Sequence, residues 1–303
     1  MTPSPAQGRL LILAAAVGWS LSGLFTRVLS EPTPLDLHEP ALTPLQIAAG
    51  RVLFAGLVML PMLRPRDVSF RPLMAATALA FAAMNAMFIG AMALGSAANA
   101  ILLQYTAPLW LYLAGVAFLG EPVERRGAVS LLIGLAGIAV IVWGGWQGEQ
   151  AVIVLLGLGS GLGYALVLLG LRLQRDASPV WLTAVNHLTG AVVLLPFVWH
   201  LGLPTPRQVA WLALFGTVQM GLPYLLMARG LKTVRPSEAG TLTLLEPILN
   251  PLWAYLVAPE KERPTVHILL GGLCILGALA YRYWPRPPRA PPVGNQGDDC
   301  TRG

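Results

Sequence analysis

The chain has 303 residues, of which 55% are hydrophobic and 11% charged, against about 25% charged in a soluble globular protein. With a mean hydropathy of +0.65, that balance excludes a soluble enzyme or regulatory domain and specifies an integral membrane protein. The net charge of +6 does not mark a nucleic-acid ligand, because Lys and Arg gather in short loops between apolar runs, where membrane proteins keep their positive charge.

Ten apolar segments follow in order, near residues 9–29, 44–63, 72–94, 97–119, 127–146, 151–172, 179–200, 207–228, 236–258 and 264–284. Each approaches the roughly 20 helical residues that cross a bilayer. A secretory leader is an alternative for the first, with Arg9 as its charged region and Ala14 to Ala16 near a cleavage site. The apolar run continues through Phe25 and its features recur later, so it is read as part of the fold. The longest connection, Ser30 to Thr43, is acidic and proline-rich. Residues 285–303 have almost no apolar side chains and are expected to form a disordered cytoplasmic tail. Cys274 in an apolar segment and Cys300 in the tail make no disulfide framework.

Basic residues set an orientation. Arg9, Arg64, Arg66, Arg71, Arg125, Arg126, Arg172, Arg175, Lys232, Arg235, Arg282, Arg286 and Arg289 fall on one side, and only Arg207, Lys261 and Arg263 in the loops of the other. The first side is therefore expected to be cytoplasmic, with both termini inside. Trp143, Trp146, Trp199, Tyr281, Tyr283 and Trp284 lie at span ends, where aromatic anchors are ordinary.

The segments repeat. The offset that carries Ala100 onto Ala239 also carries Pro108 onto Pro247 and Glu121 onto Glu260. Gly18-Trp19-Ser20-Leu21 with Arg27 matches Gly163-Tyr164-Ala165-Leu166 with Arg172, and Pro44 and Pro61 match Pro179 and Pro196. Five crossings per half is an odd number, so the halves are inverted. The expected fold is all-α integral membrane, ten transmembrane helices as two inverted five-helix repeats over 1–149 and 150–284. Pro108, Pro223, Pro247 and Pro251 are expected to interrupt helices and free carbonyls near the bilayer midplane.

Polar groups at membrane depth are costly and face the bundle interior or a wet cavity. Glu246 is the one carboxylate near the middle of a span, at a cost of roughly 2.5–3.5 kcal/mol on insertion scales. It is read as a proton-coupling group or an anchor for a substrate amine, or else as a structural partner of Arg51 or a helix cap beside Pro247. Arg51 either holds a substrate carboxylate or snorkels outward. Asn85 and Gln219 occupy similar places in the two halves and offer hydrogen bonds to a zwitterion, or to a neighbouring helix. Trp19 and Tyr164 are equivalent in the repeat and would face each other across one cavity. Gln104 and Tyr105 precede Pro108, Tyr224 follows Pro223, and Asn186-His187 lies mid-span, where structural packing is the alternative. The expected substrate-binding set is Trp19, Asn85, Gln104, Tyr105, Tyr164, Asn186, His187, Gln219, Tyr224 and Glu246.

Other chemistry is missing. Neither lysine, Lys232 or Lys261, follows a glycine, so no phosphate-binding loop of the Gly-Lys-Ser/Thr type is possible. The histidines show no metal-binding spacing, and neither metal nor cofactor is expected. Gly18-Trp19-Ser20-Leu21-Ser22 lacks the closing glycine of a hydrolase elbow. Ser20 or Ser22 with His187 is the only nucleophile and base on offer to an intramembrane enzyme. The glycines of residues 157–163 sit inside an apolar span and suit helix packing, through Gly157/Gly161 and Gly159/Gly163.

With Ala100, Pro108 and Leu119-Gly120-Glu121 repeated as Ala239, Pro247 and Glu260, the chain resembles the EamA-type branch of the drug/metabolite transporter superfamily over nearly all of residues 9–284. One departure is Ala258-Pro259-Glu260 in place of Leu119-Gly120-Glu121. The resemblance implies a secondary transporter with a cavity between the halves, often an exporter of amino acids or other metabolites, and the aromatic amino-acid exporters are similar. The expectation is an exporter of small polar organic solutes, foremost amino acids including aromatic or large apolar ones, working by alternating access in the bacterial inner membrane, with protons as the candidate coupling ion. A nucleoside, sugar or drug is the alternative cargo. A channel would need a continuous polar lining, and the in-span polar residues are isolated.

Overall fold

A computed structural model describes residues 4–145, 149–234 and 236–284. The expected tail 285–303, with Arg286, Arg289 and Cys300, lies outside them, as do Trp146 and Arg235. Among the described residues every regular element is helical, and nine helices are long and apolar enough to cross a membrane. They are Pro5–Ser30, Pro44–Met62, Pro72–Leu94, Ala97–Phe118, Arg125–Gly144, Ala151–Leu173, Pro179–Val198, Pro206–Gly230 and Val266–Tyr283. A further segment, Pro236–Leu242 followed by Leu245–Val257, is broken in its middle and is the ninth of ten spans in chain order.

Local chemistry explains several starts. Thr43 and Thr205 each cap a helix, accepting from the backbone N–H of Gln46 and Gln208, whose side chains reach back to the cap. Proline follows at the first helical position, where a missing N–H costs nothing. The same two glutamines tie the loops of that face together: Gln46 donates to the Gly202 carbonyl, and Gln208 to those of Leu37 and Pro40. At the opposite, basic face Arg71 and Asp176 form a bidentate pair at 2.8 and 2.7 Å. That pairing holds the Asp176 carboxyl below its usual range and raises the Arg71 guanidinium.

The packing of the spans displays the repeat. Span one packs on eight and nine, six on three and four, two on seven and eight, seven on three, and five on ten. Exchanging the halves maps each of these contacts onto another in the set, or onto itself. The glycines of span six make the close approaches: a Cβ on Gly161 would sit 2.5 Å from the Leu103 carbonyl of span four, and one on Gly163 would sit 3.0 Å from Met84 of span three. Leu132, Leu162, Leu166, Leu269 and Leu273 lie exposed on the outer surface, as lipid-facing residues do.

Breaks fall where the repeat has prolines, with corrections. Span four breaks at Tyr105-Thr106, just before Pro108, and span nine at Thr243-Leu244, just before Pro247. Pro251 does not break its helix, which runs on through Val257. Pro223 lies at the start of a helical turn that continues directly from a π-helical stretch, Phe215–Gly221, so span eight is continuous. A wider π turn accommodates the ring and the missing donor without an interruption. One break was not foreseen: span one divides at Leu21, with no proline near. The Leu119-Gly120-Glu121 turn uses Gly120 at φ 64, whereas in the second half span nine ends at Val257, before Pro259.

Candidate functional site

The breaks of spans four and nine and the π stretch of span eight converge on the middle of the bundle. A cavity of about 350 Å³ lies there, lined by Trp19, Tyr105, Pro108, Tyr164, Leu168, Met227, Leu231, Thr243, Glu246 and Tyr283 among others. A narrower chamber of about 60 Å³ adjoins it, walled by Arg51, Phe88, Gln104, Gln219 and Tyr224. Trp19, Tyr105, Tyr164 and Glu246 line both and mark the junction.

Arg51 is 2% exposed and does not snorkel. Its guanidinium donates to the side-chain oxygen of Asn85, from Nε at 3.0 Å and again from Nη2, and weakly to Gln219 at 3.5 Å. It also lies against the rings of Phe88 and Phe215, 5.5 and 5.4 Å from their centroids. Among the described residues no carboxylate stands within ion-pair distance of it, so the structural pair of Arg51 with Glu246 is not formed. A buried cation held by neutral partners keeps an unanswered charge for an anionic group of a ligand. The side-chain nitrogen of Asn85 is buried without a partner, a second unused donor beside it.

Glu246 accepts from the Tyr105 hydroxyl at 2.7 Å, with the Thr243 carbonyl a further acceptor at 3.0 Å. That carbonyl lies at the break in span nine, where it also accepts from the Glu246 N–H at 3.0 Å. Gln219 donates to the Trp19 carbonyl at 3.0 Å, tying the break of span one to the π stretch. Trp19 meets Tyr224 edge-on at 5.3 Å, and Tyr224 meets His187 edge-on at 5.5 Å.

Not every expected residue reaches the cavity. Asn85 acts behind Arg51 and is absent from the lining. Asn186 and His187 are buried and absent from it too; the His187 ring packs on Phe81 at 4.6 Å and its Nδ1 lies 2.7 Å from the Thr183 carbonyl. Ser20 is engaged with the Val17 carbonyl and the Trp253 indole N–H, and Ser22 with Asn250, so neither meets His187. Asn250 and Trp253, which hold the break of span one from span nine, went unread. An asparagine and an indole in a proline-bearing span were a signal available in the sequence. Phe25 stacks on Phe215 at 4.9 Å and meets Trp211 tilted at 5.0 Å, on the side away from the basic face; nothing in spacing marks such a cluster.

The EamA-like transporter family matches residues 6–143 and again residues 151–283, one match per half. The chain therefore belongs to the EamA-like transporter family and is a membrane transporter of the drug/metabolite superfamily type. It is 31% identical to an uncharacterized transporter of Archaeoglobus fulgidus over 78% of this chain and 85% of that one. It is 26% identical to the uncharacterized transporter YwfM of Bacillus subtilis over 91% of this chain and 94% of that one. A crystal structure with 17% sequence identity superposes with a TM-score of 0.62, covering 92% of this chain and 98% of that one, a likeness of fold.

Proposed function

We propose that the transporter exports a zwitterionic amino acid, foremost one with a large apolar or aromatic side chain, by alternating access across the bacterial inner membrane, with its basic face and both termini in the cytoplasm. The observation that carries this reading is the cavity's two-ended charge: an unpaired buried guanidinium, Arg51, in the narrow chamber and a carboxylate, Glu246, at its junction with the wide one. The solute carboxylate sits in the chamber on Arg51, which Asn85 positions from behind, its ammonium on Glu246, and its side chain among Pro108, Leu168, Met227 and Leu231. Trp19, Tyr164 and Tyr224 supply rings that attract an ammonium and stack on an apolar side chain. The space fits: small-molecule sites run from about 300 Å³ upward.

Glu246 then serves as the coupling group. It holds either a proton or the ammonium, so loading the amino acid displaces a proton and returning empty requires one. Proton entry would drive solute export. A counterflow screen in liposomes over amino acids, sugars and nucleosides tests the cargo. Exchange of phenylalanine or leucine is the expected result; exchange of a sugar or nucleoside alone would overturn it.

A further inference from the structure

We infer that Arg172 and Glu121 form the latch that closes the basic face during transport, the counterpart of a latch that Arg27 and Glu262 hold shut at the other face. The inference rests on the alternating-access reading.

Arg27, at the end of span one, is fully buried. Its Nε donates to Glu262 at 2.5 Å, and Nη2 donates to the carbonyls of Met92 and Gly95 at 2.8 and 2.5 Å. Those carbonyls are the unpaired, partly negative end of span three. Glu262 in turn accepts from the Ala97 N–H at 2.9 Å, at the start of span four, where a helix favours an anion. One ion pair thus joins span one, the turn between spans three and four, and the loop after span nine, with both charges satisfied by helix ends. The cost of burying the pair is offset in this arrangement and would not be in a bare pair.

The parts recur at the basic face. Arg27 corresponds to Arg172 at the end of span six. Met92-Ala93-Leu94-Gly95 recurs as Met227-Ala228-Arg229-Gly230 at the end of span eight, at the same offset that carries Pro44 onto Pro179. Glu121, after span four, takes the place of Glu262 after span nine, two residues beyond the glutamate that sequence alignment pairs with it. Here the parts are assembled only in part. Arg172 is bound to Glu121, but the two side chains are 54% and 36% exposed. The Met227 carbonyl receives the Leu231 N–H, and the Gly230 carbonyl receives the N–H groups of Thr233 and Val234 and the Thr233 hydroxyl, so both bond locally and neither meets Arg172.

What separates them is open space. At the closed end the second half of span one packs directly on span three. At the basic end Leu168 of span six faces Met227 and Leu231 of span eight across the wide cavity, and Leu171 and Arg175 face Met227 and Lys232 across a second one of about 510 Å³. Moving the end of span six onto the end of span eight would place the Arg172 guanidinium on the Met227 to Gly230 carbonyls, close both spaces and bury the solute from that side. The same rocking would pull Arg27 from the end of span three. The two latches are therefore made in turn.

Spin labels at Arg175→Cys and Lys232→Cys, in protein lacking Cys274 and Cys300, read the gap by electron–electron distance measurement in nanodiscs. Two distance populations are expected with the latch intact. Arg172→Gln and Glu121→Gln should each lower the short-to-long ratio at least about tenfold and slow solute exchange in parallel. Both residues are solvent-facing here, so the variants should fold. Two populations whose ratio neither variant changes would overturn the latch and leave alternating access standing. A single population in protein that still exchanges solute would overturn both.

Discussion

Tyr105 and Glu246 meet across the repeat interface, hydroxyl to carboxylate at 2.7 Å, each placed at the break of a span that the repeat relates to the other. The pair stands at the junction of the two chambers and leaves the second carboxylate oxygen for an ammonium or a proton. Glu246→Gln keeps the size and a hydrogen bond to Tyr105 but carries no charge. Export driven by a pH gradient should vanish in this variant while its affinity for amino acids falls at least about tenfold, the effect of 1.4 kcal/mol. Gradient-driven uptake into liposomes gives the check. Undiminished driving would remove Glu246 from coupling.

Trp19 and Tyr164 line one cavity from equivalent places in the two halves. Removing the ring in Trp19→Ala should weaken phenylalanine and leucine more than alanine, by about 0.5–1.5 kcal/mol for phenylalanine through the lost ring contact. Competition against a labelled amino acid measures the difference. A loss equal for all solutes would mean that the indole only props Tyr224.

Much of this site could be read in advance because the repeat exposes it. Prolines at Pro108 and Pro247 superpose under one offset, so the broken spans and the polar residues beside them were legible. Fold legibility has the same origin, since ten apolar runs leave few alternatives. His187 and Asn186 were expected at the cavity and do not line it, because depth in a span does not specify direction around a helix. Pro251 and Pro223 misled because a proline removes one donor without dictating whether the turn breaks, bends or widens. Glu262 was missed because it stands in a loop, where a glutamate is ordinary; only the burial of Arg27 beside it gives it meaning.

The helix packing is tested by one glycine and a control. Gly161→Ala places a methyl against the Leu103 carbonyl, in a contact too short to keep, and should cost about 1–3 kcal/mol through overpacking. Gly202→Ala meets nothing within 4 Å and should leave the thermal midpoint in detergent unchanged. Equal midpoints for the two variants would mean that spans four and six pack more loosely than described.

Orientation is open to direct labelling. In a background without Cys274 and Cys300, Asp36→Cys should react with an impermeant maleimide added to intact cells, and Ser69→Cys should react only after lysis. The reverse pattern would place the basic face outside and overturn the proposed orientation.

The most direct measurement of the central claim uses Arg51, which is buried against Asn85 with no carboxylate within ion-pair distance among the described residues. Proteoliposomes are loaded with phenylalanine and exchanged against labelled phenylalanine or against phenethylamine, which lacks only the carboxylate. Wild-type protein should exchange phenylalanine and discriminate against the amine at least about tenfold, the scale of one lost charged hydrogen bond. Arg51→Gln should lose that discrimination. Phenylalanine exchange at the wild-type rate in Arg51→Gln, or no preference for the amino acid in wild type, would contradict a zwitterion held between Arg51 and Glu246.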